Sequence, residues 1–274
     1  MKIGIIGQGV LGKTHKNYLL KNTEHEIMTY DINWDCNSTI EIIANQCEIV
    51  FIYVPTDTGK DGRLDMSIVE SVVRELDEKS FSGSCVIRST LRVGTTQRLQ
   101  AMYPDIDFYF MPEFLTERFA EEEFKNPHRK LILGYTKEFR RGVWFLSLIS
   151  HNKIVNGLGS VAPAKDVEMV KIATNSFYAM KVIFANELHS ICDKYNLNYN
   201  IVKTDLVGDP RIGSVENDLS GRDVHFRIGQ DGKLGYGGKC LPKDTMEFVE
   251  MAKEKGIKNG LIEKVVSINK KIRK

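Results

Sequence analysis

The sequence predicts an α/β protein in which a parallel sheet with crossover helices is followed by a largely helical second part. Three observations carry that reading. Short β-rich apolar runs alternate with helical patterns through the first half. Three closely spaced glycines sit between the first run and the first helical pattern. Past Gly157 and Gly159 the alternation gives way to one long helical stretch.

The apolar runs at residues 2–6, 26–30, 48–54, 85–88, 106–110 and 131–133 read as strands. The first helix is expected over residues 10–21. A strand-like piece at 153–155 leads to the long helical run, from about 164 to 195, so the domain boundary falls near residue 155. Residues 1–155 then form the sheet domain and 156–274 the helical one. The second part continues with a short helix around Ile201, a polar glycine-rich stretch from 208 to 238, and two terminal helices beginning near Leu241 and Leu261. There is no internal repeat and no low-complexity tract.

With 274 residues, 42% hydrophobic and 27% charged, the chain has core enough for two modest domains. A net charge of +2 with interspersed signs calls for neither nucleic acid nor an anionic membrane. No stretch approaches the length of a membrane span, and a cytoplasmic location is expected. Five scattered cysteines, Cys36, Cys47, Cys85, Cys192 and Cys240, suit reduced thiols, and their spacing suggests no metal. Most sit among apolar neighbours and read as small buried hydrophobes; Cys240, among glycines and charges, does not.

Gly7, Gly9 and Gly12 spell G-x-G-x-x-G between a strand and a helix, as a Rossmann-type dinucleotide site requires. The first glycine allows the tight turn, the second lets backbone approach a pyrophosphate, and the third lets helix and strand pack closely. Helix N-terminal amides, around Val10 and Leu11, would hold the anion. Three glycines could instead punctuate a turn, and a terminal Asp could cap a loop. The second strand, however, ends in Asp31, about twenty residues past the last glycine, where a carboxylate accepts from ribose hydroxyls and repels a 2′-phosphate. With Asn33 rather than a base nearby, NAD is favoured over NADP. The full expectation is an N-terminal Rossmann-type parallel sheet followed by an α-helical domain.

The segments VIRSTLRVGTT (86–96), MPEFLTERFAEEEF (111–124), EMVKIATNSFYAMKVIFANEL (168–188), DPRIG (209–213) and GYGGKCLPKDT (235–245) occur in an order that resembles the UDP-glucose and GDP-mannose 6-dehydrogenase family. The resemblance makes the α-helical part a central, dimerisation domain and implies two hydride transfers to NAD, taking a sugar C6 alcohol through an aldehyde to a carboxylate. The second oxidation needs a tetrahedral adduct, which a thiolate supplies as a thiohemiacetal. Cys240 matches the family nucleophile and lies at a helix start ahead of Pro242, where amides and the helix dipole lower a thiol pKa. Lys171 and Asn175, one helical turn apart, match the pair that holds the oxyanions; without the resemblance they would read as a solvated face. Asp244, four residues after Cys240, either orients Lys171, orders a water or only favours the helix dipole.

By the same resemblance, Thr90 and Glu117 position water and serve as a candidate general base, with Glu117 preferred over Glu113. Both also belong, with Thr56 and Lys243, to the expected cofactor contacts. Glu113, Phe114, Leu115, Arg211 and Gly237 join Lys171 and Asn175 as expected substrate contacts, the residue matching Arg211 reaching, in relatives, the substrate of a neighbouring subunit. The acidic run at 121–123 reads as a solvated helix face.

The chain departs from the family in places. Thr116 stands where the family motif PEFLRE has arginine, with Arg118 after the acid, and Arg92 replaces the proline of S-T-x-P. A polar insert carries Arg222, His225 and Arg227, which suit a phosphate or uronate contact and an exposed loop equally. Against typical relatives, the resemblance leads one to expect a short form without the second α/β domain that covers the nucleotide. The insert and a partner subunit then hold the nucleotide, or the substrate is smaller, or the enzyme is split. The apolar helix at 164–195 suits burial and a homodimer seam. UDP-glucose is the first substrate expected. The alternatives are a two-electron hydroxyacid or sugar-alcohol dehydrogenase and a non-catalytic NAD-binding partner subunit.

Overall fold

The computed structural model describes residues 1–115, 120–125, 131–137, 159–209, 212, 224–229, 231–257 and 260–273. The chain divides into two compact units, one of Met1–Asp57 and Asp65–Lys171, the other of Thr58–Leu64 and Ile172–Lys274. The expected strand at 153–155 and the boundary beside it lie outside the described residues.

The first unit is built on seven strands, β1 (Lys2–Ile6), β2 (Glu26–Tyr30), β3 (Ile49–Ile52), β4 (Ser84–Ile87), β5 (Asp107–Phe110), β6 (Leu131–Tyr135) and β7 (Gly159–Pro163). They lie in the order β2-β1-β3-β4-β5-β6-β7. β1 to β5 are parallel, and the central strands β3 and β4 are buried along their whole length, because helices cover a parallel sheet on both faces. That is why they read as unbroken apolar runs rather than alternating ones.

The sheet is mostly parallel, as expected, with one exception: β6 runs antiparallel to β5, and β7 is parallel to β6. A parallel return needs a crossover element over the sheet. The short helix α5 (Ala120–Lys125) packs on α1 (Val10–Asn22), with the Phe124 ring 5.2 Å from Tyr18, and Phe124 also joins the core formed by Ile3, Ile5 and Phe51.

The other helices of this unit are α2 (Ile40–Gln46), α3 (Ser67–Glu78) and α4 (Thr95–Met102). Thr39 caps α2 by accepting the Ile42 amide. α3 buries Val69, Val72, Val73 and Leu76, the i, i+3, i+4, i+7 stripe of an amphipathic helix. α4 starts at Gly94, whose φ of +93° suits glycine, and a carboxylate completes its cap. The buried Glu168 of α6 (Ala164–Lys194) accepts from the Gly94 and Thr96 amides at 2.5 and 2.8 Å and from the Thr96 hydroxyl at 2.6 Å. The core joins Ile3, Ile5, Phe51, Val86, Met111 and Leu133. Each large side chain buried there contributes about 1.5–3 kcal/mol.

The second unit takes α6 from Ile172 onward, α7 (Tyr199–Val207), a 3-10 turn at Val224–Phe226, α8 (Cys240–Glu254) and α9 (Leu261–Ile272). Ala179, Ile183, Tyr236 and Val265 form its core, with Leu241 and Ile268 packed against them. Segment 58–64 is fastened to α8: Arg63 Nε and Nη2 donate to Glu247 at 2.8–3.0 Å, and the Leu64 amide adds a bond of 2.8 Å. Along α6, Val170, Phe177, Phe184 and Ile191 recur every seven residues and are 38–50% exposed. Among the described residues no helix is long and apolar enough to cross a membrane.

Candidate active site

The order β2-β1-β3 puts the topological switch point at the carboxyl ends of β1 and β3, where an open α/β sheet receives its ligand. Gly7 closes the turn there with φ +95°, its amide donating to Tyr30 O at 2.9 Å. A Cβ on Gly7 would lie 2.4 Å from Tyr53 O, and one on Gly12 1.9 Å from Gly7 O, so both glycines are required by close backbone approach. Around Gly9 a Cβ would meet nothing within 4 Å. Gly9 also brings no capping side chain to α1, leaving the helix N-terminus at Val10 and Leu11 open to an anion.

Asp31, just past β2, accepts from the Gln8 amide at 2.6 Å and from the Asn33 amide at 2.8 Å, one on each carboxylate oxygen. Each oxygen retains acceptor capacity for a ribose hydroxyl. Anion cradle and carboxylate thus lie side by side, and the residues fit a dinucleotide. The same turn displays Trp34, with the Lys13 ammonium 3.4 Å above its ring. Thr56 is buried beyond β3, and Thr90 is half-buried between β4 and α4, next to Ser89, whose hydroxyl donates to Val54 O at 2.6 Å.

At the carboxyl ends of β4 and β5 a charged cluster is buried. Arg88 Nη2 donates to Glu113 Oε2. Glu113 Oε1 accepts from the Phe114 and Leu115 amides at 2.8 and 3.2 Å, and the Glu113 carbonyl accepts from Lys171 Nζ at 2.6 Å. The Lys171 ammonium also lies 4.8 Å from the centre of the Phe114 ring, while Leu115 packs against the sheet core. Beside them Tyr53 shares a 2.8 Å hydrogen bond with His15 Nδ1. Burial and the nearby Arg88 charge hold the His15 pKa well below its usual value, and burial pushes the Tyr53 hydroxyl up.

In the second unit Cys240 is the first residue of α8 and, of the five free cysteines, the exposed one; Cys36 is half-buried and Cys47, Cys85 and Cys192 are buried. Asp244, one turn on, is fully buried and accepts from Asn175 Nδ2 at 2.5 Å and from Lys243 Nζ at 2.9 Å. The loop before Cys240 is held by α9. Asn269 accepts the Tyr236 amide at 2.8 Å and donates to its carbonyl at 3.1 Å, and Arg273 donates to Asp231 and to Leu234 O. A Cβ on Gly237 would lie 1.9 Å from Arg273 Nη2, so its missing side chain makes room for the guanidinium that follows α9.

Glu117, Thr116, Arg118, Arg211 and Arg222 lie outside the described residues. His225 lies on the 3-10 turn, its ring stacked on Tyr178 with centroids 4.1 Å apart, and Arg227 is exposed just after it. Sequence reasoning missed Tyr53, Arg88, Asn269 and Arg273. Arg88 carried a faint signal, a charge directly after an apolar strand; Asn269 and Arg273 carried none.

The model of the UDP-glucose/GDP-mannose dehydrogenase family's NAD-binding domain matches residues 34–144, and that of its central domain residues 165–271. The chain belongs to this family. With it comes NAD as the cofactor of the sheet unit. The match begins after the 7–12 turn, so the glycines rest on their geometry. Two curated relatives are a UDP-glucose 6-dehydrogenase of Rhizobium meliloti, 30% identical over 81% of this chain and 50% of its own length, and one of Campylobacter jejuni, 28% identical over 98% and 72%. The chain thus spans half of the first relative. In fold it is similar to a UDP-glucose dehydrogenase from Pyrobaculum islandicum, with a TM-score of 0.80 at 24% identity over 98% of this chain and 68% of that one. A 3-hydroxyisobutyrate dehydrogenase of Mycobacterium tuberculosis shares the fold at a TM-score of 0.70 and 14% identity, covering 98% and 92%.

Proposed function

We propose that this family member is a nucleotide-sugar 6-dehydrogenase that takes a sugar C6 alcohol to the carboxylate, with UDP-glucose to UDP-glucuronate as the reaction to test first. The observation that carries the reading is Cys240, an exposed thiol opening α8 one turn before the buried, doubly hydrogen-bonded Asp244. Both curated relatives named above are UDP-glucose 6-dehydrogenases.

NAD, when bound, accepts the hydride in each of the two oxidations. Cys240 adds as thiolate to the aldehyde carbon, and the carbonyl oxygen takes up a proton to give a thiohemiacetal. Loss of hydride from that carbon, with the hydroxyl proton, leaves a thioester. Water adds to the thioester carbonyl, the carbon–sulfur bond breaks, and carboxylate and Cys240 thiol are released. Lys171 and Asn175 stabilise the successive oxyanions by charge and hydrogen bond. Thr90 orders the water, Glu117 is the candidate base, and Lys243 contacts the cofactor. Glu113, Phe114, Leu115, Arg211 and Gly237 hold the substrate. Gly7, Gly9, Val10, Leu11, Gly12, Asp31 and Thr56 hold the dinucleotide in an NAD-binding part reaching to residue 155, with 156–274 as the dimerisation and catalytic part.

A homodimer formed along α6 would cover Val170, Phe177, Phe184 and Ile191, a seven-residue repeat suited to a helix seam. We place the protein in the cytoplasm, where NAD is available and a thiol stays reduced.

The test is turnover of a nucleotide-sugar panel with NAD by the native chain and by Cys240→Ser. The expected result is two NADH per uronate for the native chain and loss of uronate formation in the variant. Absence of NAD reduction with every nucleotide sugar would sink the proposal. One NADH per ketone or aldehyde would put a two-electron dehydrogenase in its place.

A further inference from the structure

Arg88 is a buried ion that the proposed chemistry leaves unused. It follows β4 directly and is 3% exposed, and its Nε and Nη1 have no hydrogen-bond partner among the described residues. Its Nη2 grips the Glu113 carboxylate. A guanidinium kept out of water at that cost constrains whatever it pairs with, because breaking the pair would leave an uncompensated buried charge. What it pairs with is the residue whose other oxygens shape the loop. Glu113 Oε1 takes the Phe114 and Leu115 amides, and the Glu113 carbonyl takes the Lys171 ammonium at 2.6 Å. Behind Arg88, the Tyr53 ring centre lies 5.6 Å from the guanidinium carbon, and Tyr53 is fixed through its hydroxyl to His15. The links from His15 to Lys171 thus all lie within the sheet unit, hydrogen bonds at every step but the 5.6 Å approach of Arg88 to the Tyr53 ring.

We propose that Arg88 is a positioning residue for Lys171. By holding the Glu113 carboxylate it sets the 113–115 backbone, so that the Glu113 carbonyl pins the Lys171 ammonium in one place. The inference rests on the reading of Lys171 as an oxyanion-stabilising group. Arg88 itself touches neither substrate nor cofactor in this scheme.

The test uses Arg88→Met, Arg88→Lys, Glu113→Gln and the Arg88→Met/Glu113→Gln double variant, read by amide hydrogen exchange and by steady-state kinetics. Exchange at the Phe114 and Leu115 amides is expected to quicken about tenfold or more in Arg88→Met, because local opening there no longer breaks an ion pair. The kcat is expected to fall about 10–100-fold with KM for NAD within about twofold. Arg88→Lys should recover part of the loss, and the double variant should be no worse than the worse single one, since both act through one contact. Should Arg88→Met fail to fold, Glu113→Gln carries the exchange readout and Arg88→Lys the kinetic one. Unchanged exchange, multiplying effects in the double variant, or a KM for NAD rising in step with the fall in kcat would each overturn the proposal. Quickened exchange with unchanged kcat would leave the grip on the loop standing and remove Lys171 from the chemistry instead.

Discussion

Asn175 and Asp244, 69 residues apart in sequence, meet side chain to side chain, Nδ2 donating to Oδ2 at 2.5 Å, with Asn175 5% and Asp244 0% exposed. The sequence suggested each as a site residue but could not pair them. Asp244 also takes Lys243 Nζ, so its charge is compensated on two sides. In Asn175→Ala the carboxylate loses a buried donor, which is expected to cost about 1–3 kcal/mol of stability in a urea titration. Under the proposed chemistry the same variant loses an oxyanion donor, and turnover should drop about 10²-fold. Native turnover in a destabilised Asn175→Ala would limit this amide to packing.

The glycine turn separates positions that close packing requires from one that packing leaves open. Gly12→Ala would put a methyl 1.9 Å from Gly7 O and is expected to lower the melting temperature by several degrees. Gly9→Ala meets nothing within 4 Å and should melt like the native protein, yet bind NAD at least about tenfold more weakly, because the methyl occupies the pyrophosphate's approach. Calorimetry and NAD titration of the two variants decide it. Equal melting losses would show that both glycines serve packing.

Thiol reactivity should follow exposure. Burial raises Cys47 to about 12 and pushes Cys85 higher still, which keeps both protonated at neutral pH, whereas Cys240 stands open at the start of α8. Iodoacetamide at pH 8 is expected to label Cys240 first and Cys47 and Cys85 last, as read by peptide mass spectrometry. Labelling of Cys47 ahead of Cys240 would contradict this order.

Acid sensitivity should trace in part to His15. Desolvation first, and the Arg88 charge second, depress its pKa in the folded protein, so the folded chain keeps it neutral where the unfolded chain takes up a proton. Below the unfolded value of about 6.5 the unfolded state binds more protons, and stability therefore falls as pH drops through that range. In His15→Gln the loss of unfolding free energy between about pH 7 and pH 5.5 is expected to be smaller than in the native chain. An identical pH slope in both proteins would assign the effect to other groups.

Strands β1 to β4 were legible because each is a short apolar run closed by a glycine, a polar loop or a helix cap, and the long helix because its apolar positions recur at helical spacing. The antiparallel entry of β6 was not, since strand direction depends on whether the connecting chain crosses back over the sheet, which no local pattern records. Glu113 was legible as part of a motif. Its grip by Arg88 was not, because a strand-end arginine has no sequence mark for the acid 25 residues away that will neutralise it.

Local chemistry, then, was determined by the sequence itself: glycines where backbone must approach backbone, an acid at the end of β2, a cysteine opening a helix before a proline. Tertiary structure alone decided which of these groups meet. Asn175 with Asp244, Lys171 with the Glu113 carbonyl, and Asn269 with the loop before Cys240 are pairings between distant segments. Such pairs form because a buried polar group must find its partner inside the fold, wherever along the chain that partner lies.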